Sequence, residues 1–268
     1  PGSDRVIFIK DAPRDSNNNI IGELEGDGTG TDADNHLKPT EDHELFDPTA
    51  QYPRWHLLTA FYQATELLKD TGGTIVICGP VYFGEFESWG SASTAREVFT
   101  AKFKNNVIKF TSVYNGVDYR KTADAKVVID NPAMISILGS SIWENIDIAT
   151  ASTGRVISFS NYVTHIGGGV KCYPTAKAFE GVAQNYVSLA GGHRYTGSIG
   201  ENSTLTVMSG TYNCVVGGAW GSVATASMTE ANVNLTLGGT TTVLGQVIGT
   251  TRSKMSFSGN VNITINGG

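Results

Sequence analysis

In the second half of the chain, apolar and polar positions alternate with a period of two. The stretches Leu205-Thr-Val207, Val233-Asn-Leu-Thr-Leu237 and Val261-Asn-Ile-Thr-Ile265 are the plainest cases. Such alternation predicts half-buried strands, with Leu205 and Val207, Leu235 and Leu237, and Ile263 and Ile265 facing inward and Thr, Ser or Asn facing out. Apolar strands of this kind return about every 20 to 30 residues, and three longer segments of similar pattern, 156–169, 205–218 and 255–268, start 49 and 50 residues apart. A β-sandwich wants antiparallel hairpins at closer spacing, joined by Asn-Gly or Asp-Gly turns. The Asn-Gly pairs are Asn115-Gly116 and Asn266-Gly267 alone. The recurrence therefore predicts an all-β solenoid, a parallel β-helix whose rungs stack on one another.

Upstream, residues 55–70 have a helical pattern that places Leu57, Leu58, Phe61, Leu67 and Leu68 near one face, and Thr71-Gly72-Gly73 breaks it. A strand, Thr74-Ile-Val-Ile-Cys78, follows at once. One amphipathic helix ahead of a solenoid is a natural plug for its first rung, where open strand edges would otherwise invite association. The predicted organisation is a single domain over 1–268, with an N-terminal arm and capping α-helix in 1–70 and β-helix rungs in 71–268. Pro1-Gly2-Ser3 at the head, and a final strand with no capping segment after it, lead us to expect a module of a longer polypeptide.

The order Gly26-Asp27-Gly28-Thr29, then Asp32 and Asp34, then the helix, then Gly72-Gly73-Thr74-Ile75-Val76-Ile77-Cys78-Gly79-Pro80-Val81-Tyr82 carries a resemblance. It is similar to the entry module of the pectate-lyase-like superfamily of right-handed, single-stranded parallel β-helix proteins, which includes polysaccharide lyases, glycosidases and phage tailspikes. The resemblance covers residues 26–82. It departs from the family pattern in two places: Asp32 and Asp34 are not adjacent, and about 20 residues separate them from the helix. What the resemblance implies is a right-handed coil and a polysaccharide as partner. The entry module itself does no chemistry.

Composition agrees with many short strands, at 40% hydrophobic and 16% charged residues with 32 Gly. A net charge of −6 and a pI near 5.4 argue against a phosphate-binding surface, so no nucleic acid is expected. No apolar run approaches the roughly 20 residues of a membrane span, so no membrane insertion is expected. The charge is uneven: residues 1–150 carry −9 and residues 151–268 carry +3, and after Asp147 the acidic residues are Glu180, Glu201 and Glu230 alone. Cys78, Cys172 and Cys214 sit beside strand-like apolar residues and read as buried thiols, with no histidine spaced for a zinc site. The acidic stretch holding Glu23, Glu25, Asp27, Asp32, Asp34, Glu41, Asp42, Glu44 and Asp47 allows a Ca²⁺ site. It lacks EF-hand spacing, however, and a solvated loop with no cofactor is the expectation.

Glycoside hydrolysis needs two carboxylates, and lyases need a base for proton abstraction. The scarcity of acids after Asp147 weighs against both on the later rungs. The candidates for catalysis are Glu144 and Asp147 with Lys171 and Tyr173, or His193 and Arg194. Glu144 and Asp147 are three apart and would face opposite ways on a straight strand. Binding a sugar asks only for an aromatic platform and a few hydrogen-bonding groups, and Trp143, Asn145, Tyr173, His193, Arg194, Tyr195 and Trp220 are the candidates. Asn202-Ser-Thr204, Asn234-Leu-Thr236 and Asn262-Ile-Thr264 match glycosylation acceptors. Outward Thr rows are also what a flat ice-binding face uses, but the run Thr240-Thr241-Thr242 is too local to suggest one. The expected function is a secreted or cell-surface module that binds glycans or serves in adhesion without catalysis. The alternative is a polysaccharide lyase or glycoside hydrolase.

Overall fold

The computed structural model describes residues 5–11, 27–40, 59–84, 96–131, 133–194, 201–221, 227–228, 232–252, 256–257 and 259–266. Strand β1 (Val6–Ile9) and helix α1 (Ala60–Leu68) come first. The chain then repeats a circuit through three sheets. The first circuit is β2 (Gly73–Ile77), β3 (Pro80–Phe83) and β4 (Arg96–Phe99). The second is β5 (Lys104–Thr111), a small hairpin of β6 (Val113–Tyr114) and β7 (Val117–Asp118), the one-turn helix α2 (Tyr119–Thr122), then β8 (Lys126–Ile129) and β9 (Ala133–Ser136). Two more circuits follow: β10 (Gly139–Glu144), β11 (Asp147–Thr150) and β12 (Val156–Ser158), then β13 (Val163–Ile166), β14 (Lys171–Pro174) and β15 (Ser188–Ala190). The last elements are β16 (Ser203–Val207), β17 (Thr211–Val216), β18 (Ser227–Met228), β19 (Val233–Gly238), β20 (Thr242–Ile248), β21 (Ser256–Phe257) and β22 (Val261–Asn266).

Every circuit pairs in parallel with the next. The first sheet has eight strands in the order β1-β2-β5-β10-β13-β16-β19-β22, the second has four (β14-β11-β8-β3) and the third six (β20-β17-β15-β12-β9-β4). Among the described residues only the β6–β7 hairpin is antiparallel, and Asn115 (φ 48°) and Gly116 (φ 79°) make its turn. The chain is thus all-β and mostly parallel, with open sheets and few helices. Among the described residues no helix is long and apolar enough to cross a membrane.

The core lies between the sheets and is continuous from α1 to β19. Its centre is aromatic: Phe110 stacks on Trp143 at 4.4 Å and on Phe61 of α1 at 5.0 Å, while Phe83 and Phe159 meet this group edge-on. Thr59 caps α1 by accepting from the Tyr62 amide, and Ala60, Phe61, Ala64 and Leu68 are its buried face. The helix is shorter than the sequence pattern, and Leu67 lies on its outer side, 44% exposed, because Ala64 rather than Leu67 completes the inward stripe. Leu57 and Leu58 lie outside the described residues.

The glycine pairs have a steric cause. A Cβ on Gly191 would sit 2.4 Å from the Gly217 carbonyl, and one on Gly217 would sit 2.6 Å from the Gly249 carbonyl. Successive turns approach too closely for a side chain there.

Two expectations from the pattern need correction. The recurrence of 49 and 50 residues joins strands of different sheets: Val156 belongs to the six-stranded sheet and Leu205 to the eight-stranded one. The true partners of Leu205 are Thr164, Leu235 and, through Leu235, Ile263. Residues 156–169 run through β12 and β13, which belong to two different sheets, so the matched segments are not equivalent rungs. Ile263 and Ile265, expected inside, are 46% and 67% exposed, since β22 is an edge strand with nothing among the described residues beyond it.

Candidate functional site

The sequence candidates do not fall in one place. Trp143 is in the core, 2% exposed, with its indole Nε1 donating to Ser141 Oγ at 2.9 Å. It is a packing residue and offers no face to a sugar, because its even-numbered neighbours on β10 face out and it faces in. Asn145 is the corner between β10 and β11. It adopts φ 51°, its amide N–H donates to the Gly168 carbonyl, and its own carbonyl accepts from the Ser112 amide. That turn sends Glu144 and Asp147 to different sheets. Glu144 ends in an ion pair with Lys109 on the outer face of the eight-stranded sheet.

Asp147, Lys171 and Tyr173 do come together. β11 pairs with β14 so that Asp147 is opposite Lys171 and Ala149 opposite Tyr173, and alternation turns Ile148 and Cys172 inward and these side chains outward. Tyr173 Oη donates to Asp147 Oδ2 at 3.2 Å. Two residues with no place among the sequence candidates complete the cluster. Arg120 forks onto Asp118, with Nε to Oδ1 at 2.8 Å and Nη2 to Oδ2 at 2.9 Å, donates from Nη1 to the Gly169 carbonyl at 2.8 Å, and brings Nη1 within 3.7 Å of Asp147 Oδ1. The Asn115-Gly116 turn was the available signal for this insertion, since it builds the hairpin that delivers Asp118 and Arg120.

The electrostatics of the two aspartates diverge. The hydrogen-bonded Arg120 guanidinium holds Asp118 below the usual carboxylate range. Burial pushes Asp147 up, against the opposing hydrogen bond from Tyr173 and the charges of Arg120 and Lys171. Its Oδ1 is buried and accepts no hydrogen bond from any described residue. Burial and the neighbouring Asp147 likewise raise Tyr173 well above the ordinary phenol range.

Beside this cluster lies an open groove of about 360 Å³, lined by Lys171, Tyr173, Thr211, Thr240 and their neighbours. It exists because the four-stranded sheet stops at β14. From β16 onward the chain turns directly into β17, and from β19 into β20, so Thr211 and Thr240 stand next to the open edge of β14. The groove combines a half-buried phenol, one ammonium and two hydroxyls, a set able to hold a polyhydroxylated ligand by an apolar ring face and several hydrogen bonds.

His193, Arg194 and Trp220 occupy a different corner. Trp220 donates its amide N–H to the His193 carbonyl, and its ring lies under the Arg252 guanidinium at 4.3 Å while the residue packs against the small cluster of Met134, Val156, Ala190 and Val216. His193 Nε2 is 3.5 Å from Glu201 Oε2, and Arg194 is buried. Tyr195 lies outside the described residues, as do Glu23, Glu25, Glu41, Asp42, Glu44 and Asp47. In the remaining acidic loop the carboxylates close local turns: Asp27 accepts from the Thr29 amide and hydroxyl, and Asp32 from the amides of Asp34 and Asn35. No group of three or more His, Cys, Asp or Glu among the described residues is arranged to hold a metal ion. The three cysteines are free and buried, and burial pushes the Cys78 and Cys172 thiols up to about 12.

No family model matches the chain, and no curated protein or solved structure matches it either.

Proposed function

We propose that this chain is a right-handed, single-stranded parallel β-helix module, related to the pectate-lyase-like proteins, that belongs to a secreted or cell-surface protein and holds a glycan without cleaving it. The observation that carries the reading is the groove beside Tyr173, open along successive turns and lined by an aromatic ring, Lys171, Thr211 and Thr240. The even rotation of the chain through three parallel sheets, with α1 packed into the first turns, supports the β-helix assignment. The dispersal of Glu144, Asp147 and His193 over three surfaces supports the non-catalytic part, because acid and base must flank one bond. Titration with soluble oligosaccharides, neutral and acidic, tests it. Binding should weaken by about tenfold in Tyr173→Ala, and an unchanged affinity in that variant would remove the groove from the account.

A second reading has one observation behind it. Asp147 is a half-buried carboxyl with a raised pKa beside Tyr173, Lys171 and Arg120, the environment in which an acid or base is tuned for proton transfer. On that reading the module is a polysaccharide lyase or glycosidase. New reducing ends or unsaturated products from a polysaccharide, lost in Asp147→Asn, would establish it over the first.

A further inference from the structure

Away from the groove, the outer face of the eight-stranded sheet ends in an array of uncharged hydrogen-bonding side chains. The register sets Thr204, Asn234 and Asn262 in one row across β16, β19 and β22, and Thr206, Thr236 and Thr264 in the next. A third row, Asn202, Asn232 and Asn260, lies just before these strands. The three Asn-x-Thr triplets of the sequence thus each put an amide and a hydroxyl on this one face. Below them Leu205, Val207 and Leu235 are fully buried, so the array rests on packed core.

The amides are held in place. Asn232 Nδ2 donates to Asn202 Oδ1 at 3.2 Å, Asn260 Nδ2 to Asn232 Oδ1 at 3.1 Å, and Asn262 Nδ2 to Asn234 Oδ1 at 2.9 Å. Each donor amide keeps a second N–H to offer. The hydroxyls of Thr204, Thr206, Thr236 and Thr264 make no hydrogen bond to any described residue. Strand geometry spaces the groups about 4.8 Å apart across the sheet and about 6.7 Å along it, a footprint of about 10 by 13 Å. None of the nine positions carries a charge. The rows continue onto β13 as Val163 and His165 and run on toward Lys109 and Glu144.

We propose that this array is a second binding face, and that its ligand is an uncharged polysaccharide. Each Thr hydroxyl both donates and accepts, which is the capacity of a sugar hydroxyl, and a repeating array meets a repeating polymer many times over. The lack of charge gives no advantage to a uronate or a phosphate. Fixed amides and a rigid sheet reduce the ordering cost that weakens most hydrogen-bonded surfaces. The face is independent of Tyr173 and stands or falls without the groove.

The test is retention of the whole chain on insoluble neutral polymers, cellulose and chitin, beside a polygalacturonate gel. Retention on a neutral polymer should persist at high salt and fall by about tenfold in the double variant Thr206→Val/Thr236→Val, which keeps side-chain shape and strand preference while removing two hydroxyls. Thr206→Ser/Thr236→Ser should restore it, and the valine pair should cause the same fall when built into a Tyr173→Ala background, where the groove no longer contributes. Circular dichroism checks that each variant is folded. Retention confined to polygalacturonate, retention indifferent to the valine pair, or ice shaping by a chain that no neutral polymer retains would each overturn the proposal.

Discussion

Trp143→Ala separates a core residue from a sugar platform more sharply than any other single change. The indole is 2% exposed, stacks on Phe110 at 4.4 Å and meets Phe61 and Phe159 at 6.2 Å each. Truncating a buried Trp to Ala costs about 3–5 kcal/mol in lost transfer energy and residual cavity. Ser141 Oγ, itself buried, also loses the indole N–H, which adds about 1 kcal/mol. Taking the sum as about 4–6 kcal/mol, and about 2–4 °C per kcal/mol for a chain of this size, the melting temperature should drop by roughly 8–24 °C. Trp143→Phe keeps the stack and removes the hydrogen bond, and should cost only about 1–2 kcal/mol. The assay is thermal and urea unfolding followed by far-ultraviolet circular dichroism, with oligosaccharide binding measured at a temperature where both variants are folded. A Trp143→Ala chain that melts like the parent and has lost its ligand would refute the assignment of this ring to the core.

Four further outcomes follow from the site, the turns and the buried thiols. Asp147 carries a raised pKa, so the folded chain binds a proton more readily than the unfolded one: stability should fall as pH rises from the ordinary Asp value through the folded-state value, and Asp147→Asn should flatten that slope in denaturant midpoints read at several pH values. Asp118 has the opposite sign, since its stabilisation is present above the ordinary Asp value and lost as pH falls through its lowered one, and Arg120→Ala should abolish that acid-side loss. Gly217→Ala should destabilise by about 1–3 kcal/mol, because its Cβ would meet the Gly249 carbonyl at 2.6 Å, whereas Gly168→Ala, with nothing within 4 Å, should sit within about 0.5 kcal/mol of the parent in the same unfolding assay. Finally, Cys78 and Cys172 should stay unlabelled by a thiol reagent at pH 8 until denaturant is added; fast labelling of the native chain would contradict their burial and raised pKa.

The local alternation of apolar and polar residues was enough to assign strands, to place Leu205, Val207, Leu235 and Leu237 inside, and to place Thr206 and Thr236 outside. It was enough because side-chain direction along a strand depends only on the neighbouring backbone. It was also enough for α1, whose apolar stripe and Gly72-Gly73 stop are local features. The same rule failed for Ile263 and Ile265, which stay 46% and 67% exposed because no described strand lies beyond β22, since burial belongs to the neighbours and not to the residue. Trp143 was listed for its residue type and not for its place in the alternation, and its role depends on which strands surround it.

Among the candidate site residues, Asp147, Lys171 and Tyr173 were legible as chemistry but not as a cluster. Their meeting depends on the pairing of β11 with β14, and Arg120 reaches them from a hairpin inserted in the preceding circuit. Glu144 was separated from Asp147 by one left-handed residue, Asn145. The sequence by itself determined the alphabet of this protein: parallel-type strands, one helix, buried thiols, and polar outer faces poor in acid after Asp147. Only the tertiary structure decided the stacking, and with it the groove and the amide and hydroxyl rows. The physical reason is that the pattern of a strand records its own faces and not its partner, so the identity of the partner strand is settled by long-range packing, by the length of each turn and by the few glycines that let two turns approach.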